Sequence, residues 1–210
     1  MKTVSEYIKE AYKNWKEGSE MKGGSEIFIS APTGSGKTYF VLNILLPYFY
    51  EQKKKILFLV NRRILKEQIE TEIQRHVNFE MKDNIRVQSY QEIENSFRTI
   101  GKNKIRDISE NIWDVEVELG MKYLAYLQEF NCVVCDECHY FLADSNFNTN
   151  TIISFRVIMN YFKRKIKIFM SATCEDFFNY ITEKKEKNKQ ELNKTKIYNL
   201  LSNSIALERV

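Results

Sequence analysis

The sequence predicts an α/β fold: a mainly parallel central sheet with helices on both faces. Short apolar runs at Ile27–Ser30, Lys55–Val60, Ile85–Gln88, Asn131–Cys135 and Ile166–Met170 have the length and the β-branched or aromatic content of buried strands. Longer segments between them carry apolar residues at helical spacing. Strands that alternate with helices require crossover connections, which place neighbouring strands parallel. At 210 residues and 43% hydrophobic content, the chain is long enough to bury one substantial core.

Taken in order, Val4, Tyr7, Ile8, Ala11, Tyr12 and Trp15 keep helical spacing and open the chain with an amphipathic helix. Gly18–Ser25 is a loop into the first strand. A helix, Tyr39–Tyr50, follows that strand, and a second helix from Arg62 to His76 separates the next two. His76 falls in that helix's last turn, where it favours the dipole. Residues 96–130 give the weakest pattern and are read as helices such as Met121–Phe130. A helix at Thr151–Phe162 precedes the last strand. Glu183–Lys196 is almost entirely Lys, Glu, Asn and Gln, which suits a solvated helix or a flexible tail; the helix is the favoured reading. The expected organisation is an N-terminal helix and loop over residues 1–26, a domain over residues 27–182, and a charged tail or linker over residues 183–210.

Between the first strand and its helix lies Ala31-Pro32-Thr33-Gly34-Ser35-Gly36-Lys37-Thr38. Strand, glycine turn and helix form the setting a phosphate-binding loop needs. Gly34 and Gly36 permit positive φ, so successive N–H groups converge on an anion, and the helix N-terminus adds positive charge. Lys37 would meet the β and γ phosphates and the Thr38 hydroxyl would ligate Mg²⁺. The plainer alternative is a glycine turn ahead of a helix that happens to carry Lys-Thr.

The strand at Asn131–Cys135 ends in Asp136-Glu137. Acids at the carboxyl end of a buried strand are costly unless they face a cation or a wet cleft, and ligands bind at such strand ends. Asp136 is the candidate Mg²⁺ ligand, and Glu137 the group that orients or deprotonates the attacking water. The alternative is a helix cap with a first-turn acid. Cys132, Cys135, Cys138 and His139 have metal-like spacing. Val133-Val134 nevertheless favours extended backbone, which turns Cys132 and Cys135 to opposite faces, so these thiols and Cys174 are expected to be core residues with no structural zinc.

These segments resemble the first RecA-like domain of a superfamily 2 helicase of the DExH kind, a DEAD/DEAH box helicase family protein of bacteria or phage. Motif I is matched at Ala31–Thr38, motif II at Asp136-Glu137-Cys138-His139, and motif III at Ser171-Ala172-Thr173. Leu59–Gln68 is similar to motif Ia, and Val87–Gln91 lies where motif Ib contacts fall. Tyr140–Asn148 is similar, more weakly, to proteins of low-GC bacteria and their phages. The resemblance runs from Ile27 to Thr173. It implies a three-layer RecA-like P-loop NTPase domain with ATP held by Pro32, Thr33, Gly34, Ser35, Gly36, Lys37, Thr38 and His139. It implies catalytic roles for Lys37, Asp136 and Glu137, and coupling of hydrolysis to movement through Ser171, Ala172 and Thr173. The plain alternative for that last segment is a cap on the next helix.

The resemblance also implies contact with a DNA or RNA backbone through Arg62, Arg63, Ser89, Tyr90 and Gln91, and a second RecA-like domain in cis or in trans. Without it, Arg62 and Arg63 read as ordinary solvated surface. Residues 1–30 contain no Gln, and His139 replaces the second Asp of a DEAD box, so adenine preference has no support in the sequence. No segment after Thr173 resembles motifs IV to VI with their arginine finger. The expected function is the ATP-binding motor of a nucleic-acid-dependent ATPase, weak or inactive alone. A stand-alone nucleotide-binding regulator with little turnover, or the ATPase part of a restriction or defence enzyme, are the alternatives. Net charge is 32 − 28 = +4, which permits nucleic-acid binding without requiring it. The absence of a secretory segment or long apolar run, together with free thiols, fits a cytoplasmic, non-membrane setting.

Overall fold

The computed structural model describes residues 23–101, 118–143, 149–187 and 195–199. The N-terminal helix expected around residues 4–15 lies outside them. Five strands form where the apolar runs predict: β1 (Glu26–Ser30), β2 (Ile56–Val60), β3 (Ile85–Ser89), β4 (Cys132–Asp136) and β5 (Ile166–Ser171). β1, β2, β4 and β5 are buried along their whole length, as strands covered on both faces must be. All described pairings are parallel. A sixth strand, β6 (Thr195–Asn199), completes the order β3-β2-β4-β5-β1-β6.

β6 changes the reading of the charged segment. The helix Cys174–Lys187 runs through the boundary expected at residue 182, and Thr195–Asn199 then pairs with β1. The sheet therefore extends into what the sequence presents as a tail.

Alternation along each strand sorts the core into two layers. Ile27, Ile29, Phe58, Val60, Cys132, Val134 and Ile168 face one side. There they meet the helix that follows β1 and the helix Arg63–His76 through Ile69 and Ile73. Phe28, Leu57, Leu59, Val133, Cys135 and Phe169 face the other. That side is covered by the helices Tyr90–Gly101, Glu118–Gln128, Thr149–Tyr161 and Cys174–Lys187. Cys132 and Cys135 thus belong to opposite layers, and Cys138 and Cys174 are buried free thiols.

The helix after β1 is not uniform. It begins as Lys37–Phe40, widens to a π turn over Val41–Leu45 and resumes as Leu46–Glu51. Pro47, in the first turn of the resumed segment, has no N–H to give the Asn43 carbonyl, and its ring would crowd that carbonyl in a regular α-helix. The wider turn stands where the regular bond is lost, and Val41, Leu42 and Leu45 remain buried.

At the edge away from the loops, Lys167 of β5 lies opposite Glu26 of β1. Its Nζ donates to the Phe162 carbonyl at 2.9 Å and sits 3.5 Å from Glu26 Oε1. At the centre, Phe28 is fully buried. Its ring stacks on Phe169 at 4.9 Å and meets Phe178 edge-on at 5.2 Å. Phe28→Ala should therefore lower stability by roughly 3–5 kcal/mol. Urea unfolding checks this; a loss below about 1 kcal/mol would mean the two-layer core collapses around the gap.

Candidate functional site

Parallel strands deliver their carboxyl ends to one edge, and the candidate residues gather there because each sits just beyond a strand. Gly34 (φ 77°) and Gly36 (φ 89°) turn the chain after β1 through left-handed backbone, so the helix starts with Lys37 pointing back over the loop. Lys37 Nζ donates to the carbonyls of Ala31 (3.1 Å) and Pro32 (3.4 Å) and lies 3.7 Å from Glu137 Oε1. Thr33, Gly34, Gly36, Lys37, Thr38, Asp136, Glu137 and His139 line one cleft of about 710 Å³.

Asp136 ends β4 and is almost wholly buried, yet its Oδ1 has no hydrogen-bond partner among the described residues. Burial pushes its carboxyl up to about 6. The charge of Glu137 adds to the effect, while Lys37 opposes it. Ser35 Oγ is likewise buried without a partner among the described residues. Asp136 and Thr38 line the same cleft, and a carboxylate beside a hydroxyl supplies oxygen donors of the kind a hard divalent cation takes. The fit to Mg²⁺ is therefore good.

Glu137 adopts φ 52°, a left-handed conformation that residues other than glycine rarely hold. The turn lets the chain step off β4. The Cys138 N–H returns to the Met170 carbonyl at 3.0 Å, and the Tyr140 N–H closes onto the Glu137 carbonyl at 2.9 Å. His139 Nδ1 lies 3.2 Å from Glu137 Oε2 and 2.8 Å from Ser171 Oγ. Ser171 Oγ accepts from the Thr173 N–H at 3.2 Å, and the Ala172 carbonyl accepts from Ser30 Oγ at 3.4 Å. A polar chain thus runs from Lys37 through Glu137 and His139 to Ser171. The buried Sγ atoms of Cys138 and Cys174 touch beside it at 3.3 Å.

The residues expected to touch nucleic acid divide. Arg62 holds the N-cap position of the helix Arg63–His76, without a side-chain cap bond, and lines the same cleft as the glycine loop, alongside Asn61, Ile64 and Leu65. Arg63 points into solvent and pairs with Glu67 at 3.1 Å. Tyr90 requires correction: its side chain is fully buried and its hydroxyl donates to the Asp136 carbonyl at 2.7 Å, so it has no surface to offer a polymer. Ser89 is also buried. It accepts from the Glu92 N–H while Glu92 Oε2 accepts from the Ser89 N–H and hydroxyl, the reciprocal cap of a Ser-x-x-Glu start. Gln91 is half-buried and donates to the Asn61 carbonyl at 3.0 Å. The spacing of Ser89 and Glu92 was the sequence signal for this cap.

A family model described as the type III restriction enzyme res subunit matches residues 1–176. No curated protein matches the chain. Among solved structures, the chain is similar to the DUF1998 helicase MrfA, with 14% identity and a TM-score of 0.49 over 83% of this chain and 28% of that one. It is also similar to T4 UvsW, with 14% identity and a TM-score of 0.44 over 80% of this chain and 35% of that one. The chain therefore spans roughly a third of the length of these two proteins.

The raised pKa of Asp136 has a defined consequence for stability. A folded value near 6 against an unfolded 3.8 means that folding favours the protonated acid. That contribution is complete below the unfolded value and is lost as pH rises through the folded one. Without Mg²⁺, the stability of Asp136→Asn relative to the wild type should grow by up to roughly 3 kcal/mol between about pH 4 and about pH 7. Thermal melts across that range test it, and a constant difference would contradict the burial of an ionised Asp136.

Proposed function

The chain belongs to the family of the type III restriction enzyme res subunit, and from that premise we propose that it is the ATP-binding motor domain of a nucleic-acid-dependent ATPase. The observation that carries the proposal is the single cleft that holds both the phosphate loop and the acid pair, with Lys37 and Glu137 3.7 Å apart. Triphosphate seated on Gly34–Thr38 meets converging N–H groups and the helix N-terminus. Lys37 then exchanges its carbonyl partners, and its contact with Glu137, for phosphate oxygens. Thr38 and Asp136 would hold Mg²⁺, which neutralises charge on the transferring phosphate. Glu137, released from Lys37 and still beside His139, accepts the proton of the attacking water.

The finer assignments rest on the same arrangement. Ser171 Oγ is bonded to His139, the group beside the proposed base, and accepts from the Thr173 N–H, so a change at the phosphate end would reach the end of β5 through His139. Arg62, exposed at a helix N-terminus, is placed to meet a DNA or RNA phosphate, with Arg63 behind it. Such contacts read backbone and carry little base specificity. Lys37 and Arg62 are the lysine and arginine that the described residues bring to the cleft lining. An arginine finger contributes about 10³–10⁵ in rate, so we expect full turnover to need a second RecA-like domain in cis or in trans. The family description also favours a second reading, in which this domain is the ATPase part of a restriction or defence enzyme.

Calorimetry of Lys37→Ala should show ATP·Mg²⁺ affinity reduced at least ~tenfold, since a charge-assisted phosphate contact contributes roughly 1.5–3 kcal/mol. Unchanged affinity would remove the loop from the site. Glu137→Gln should bind ATP·Mg²⁺ as the wild type does, and should abolish whatever hydrolysis the chain shows with single-stranded DNA or RNA. Turnover that survives this substitution would move the base elsewhere.

A further inference from the structure

Tyr90 lies outside the cleft lining, yet its phenol is bonded to the peptide that the chemistry depends on. The Asp136 carbonyl that accepts its hydroxyl at 2.7 Å belongs to the same peptide unit as the Glu137 nitrogen. The orientation of that peptide sets φ of Glu137, which is 52°. Rotating the peptide back toward ordinary strand geometry would relieve the left-handed turn. It would also carry the Glu137 carboxylate off its line to Lys37 and His139 and break the return bond from Cys138 to Met170.

The phenol is itself immobilised. Its ring stacks on Tyr140 at 5.3 Å, with planes 6° apart, and meets Phe141 at 4.8 Å, both residues lying just beyond the acid pair. The capped turn Ser89–Glu92 fixes its backbone. Gln91 ties that turn to Asn61, and Lys66 bonds Glu92. A buried phenol, pushed by burial well above its usual range, stays protonated and keeps its hydroxyl a hydrogen-bond donor.

We infer that Tyr90 is a positioning residue: its hydroxyl locks the Asp136–Glu137 peptide in the left-handed turn that aims the Glu137 carboxylate into the nucleotide cleft. The inference deepens the ATP-hydrolase reading and rests on it for its catalytic consequence. It also makes the Ser89–Glu92 turn a strut between the segment carrying Arg62 and the acid pair.

Tyr90→Phe removes the hydroxyl while preserving the rings and the volume, so the test uses that variant in the full chain. Amide hydrogen exchange by NMR should speed up at Cys138 and Tyr140 by at least ~tenfold, the equivalent of one net hydrogen bond. Exchange in β1 and β5 away from the turn should be unchanged. ATP·Mg²⁺ affinity should stay within about twofold, while turnover falls about tenfold with KM unchanged, because the lost bond serves the base and not the phosphate loop. Tyr90→Leu, which also deletes the stacking, should by contrast lower Tm and protection across the sheet.

Wild-type exchange at Cys138 and Tyr140 in Tyr90→Phe would overturn the inference. So would loss of protection throughout the sheet, which would make the hydroxyl a general stabiliser. A wild-type chain that failed to bind ATP would count against the hydrolase reading alone, because the exchange arm decides the role of Tyr90 without nucleotide.

Discussion

A carboxylate at the end of a fully buried strand is the constraint around which this site is built. Asp136 sits where the protein excludes water from one of its oxygens and supplies no donor to it among the described residues. Such a group is destabilising in its ionised form unless a cation arrives. The nearest charges are Glu137, which makes matters worse, and Lys37, which helps. On the proposed function, satisfying Asp136 is left to a cation that arrives with the nucleotide on the glycine loop lining the same cleft.

Parallel topology makes that arrangement geometrically cheap. β1 and β4 flank β5, and all three end at the same edge, so a loop after β1, an acid pair after β4 and a hydroxyl after β5 become neighbours without any long connection. The bonds among them are short-range but link distant segments: Lys37 to Glu137, His139 to Ser171, Ser30 to Ala172, Tyr90 to Asp136. Each strand end is thereby sensitive to what happens at the next. On the proposed function, a phosphate that draws Lys37 off Glu137 would free that carboxylate and alter its contact with His139, which also bonds Ser171; that would be the physical content of coupling here.

Much of this was legible in the residues. The five apolar runs became strands because a strand buried on both faces needs an uninterrupted apolar sequence, and the two glycines announced the loop. Opposite-facing Cys132 and Cys135 followed from the extended preference of Val133-Val134. β6 was hidden because Thr195–Asn199 follows a run of Lys, Glu and Asn and has no apolar stretch of its own to mark it. The π turn at Val41–Leu45 goes with Pro47, seven residues past the opening turn Lys37–Phe40, but apolar periodicity alone does not report hydrogen-bond register. Tyr90 was misplaced for a different reason. The resemblance of Val87–Gln91 to a nucleic-acid-contacting motif put Tyr90 on the surface, whereas Ser89 and Glu92 cap the helix start and only the fold shows the Tyr90 hydroxyl meeting Asp136.

The central claim is that Asp136 is a cation seat that becomes useful only when nucleotide is bound. The most direct measurement is ATP affinity with Mg²⁺ and with a chelator, for the wild type and for Asp136→Ala. The account predicts that Mg²⁺ strengthens binding to the wild type and leaves the variant's affinity nearly unchanged. Equal dependence on Mg²⁺ in the two proteins would contradict it, placing the metal on other groups and leaving the buried carboxylate without a purpose.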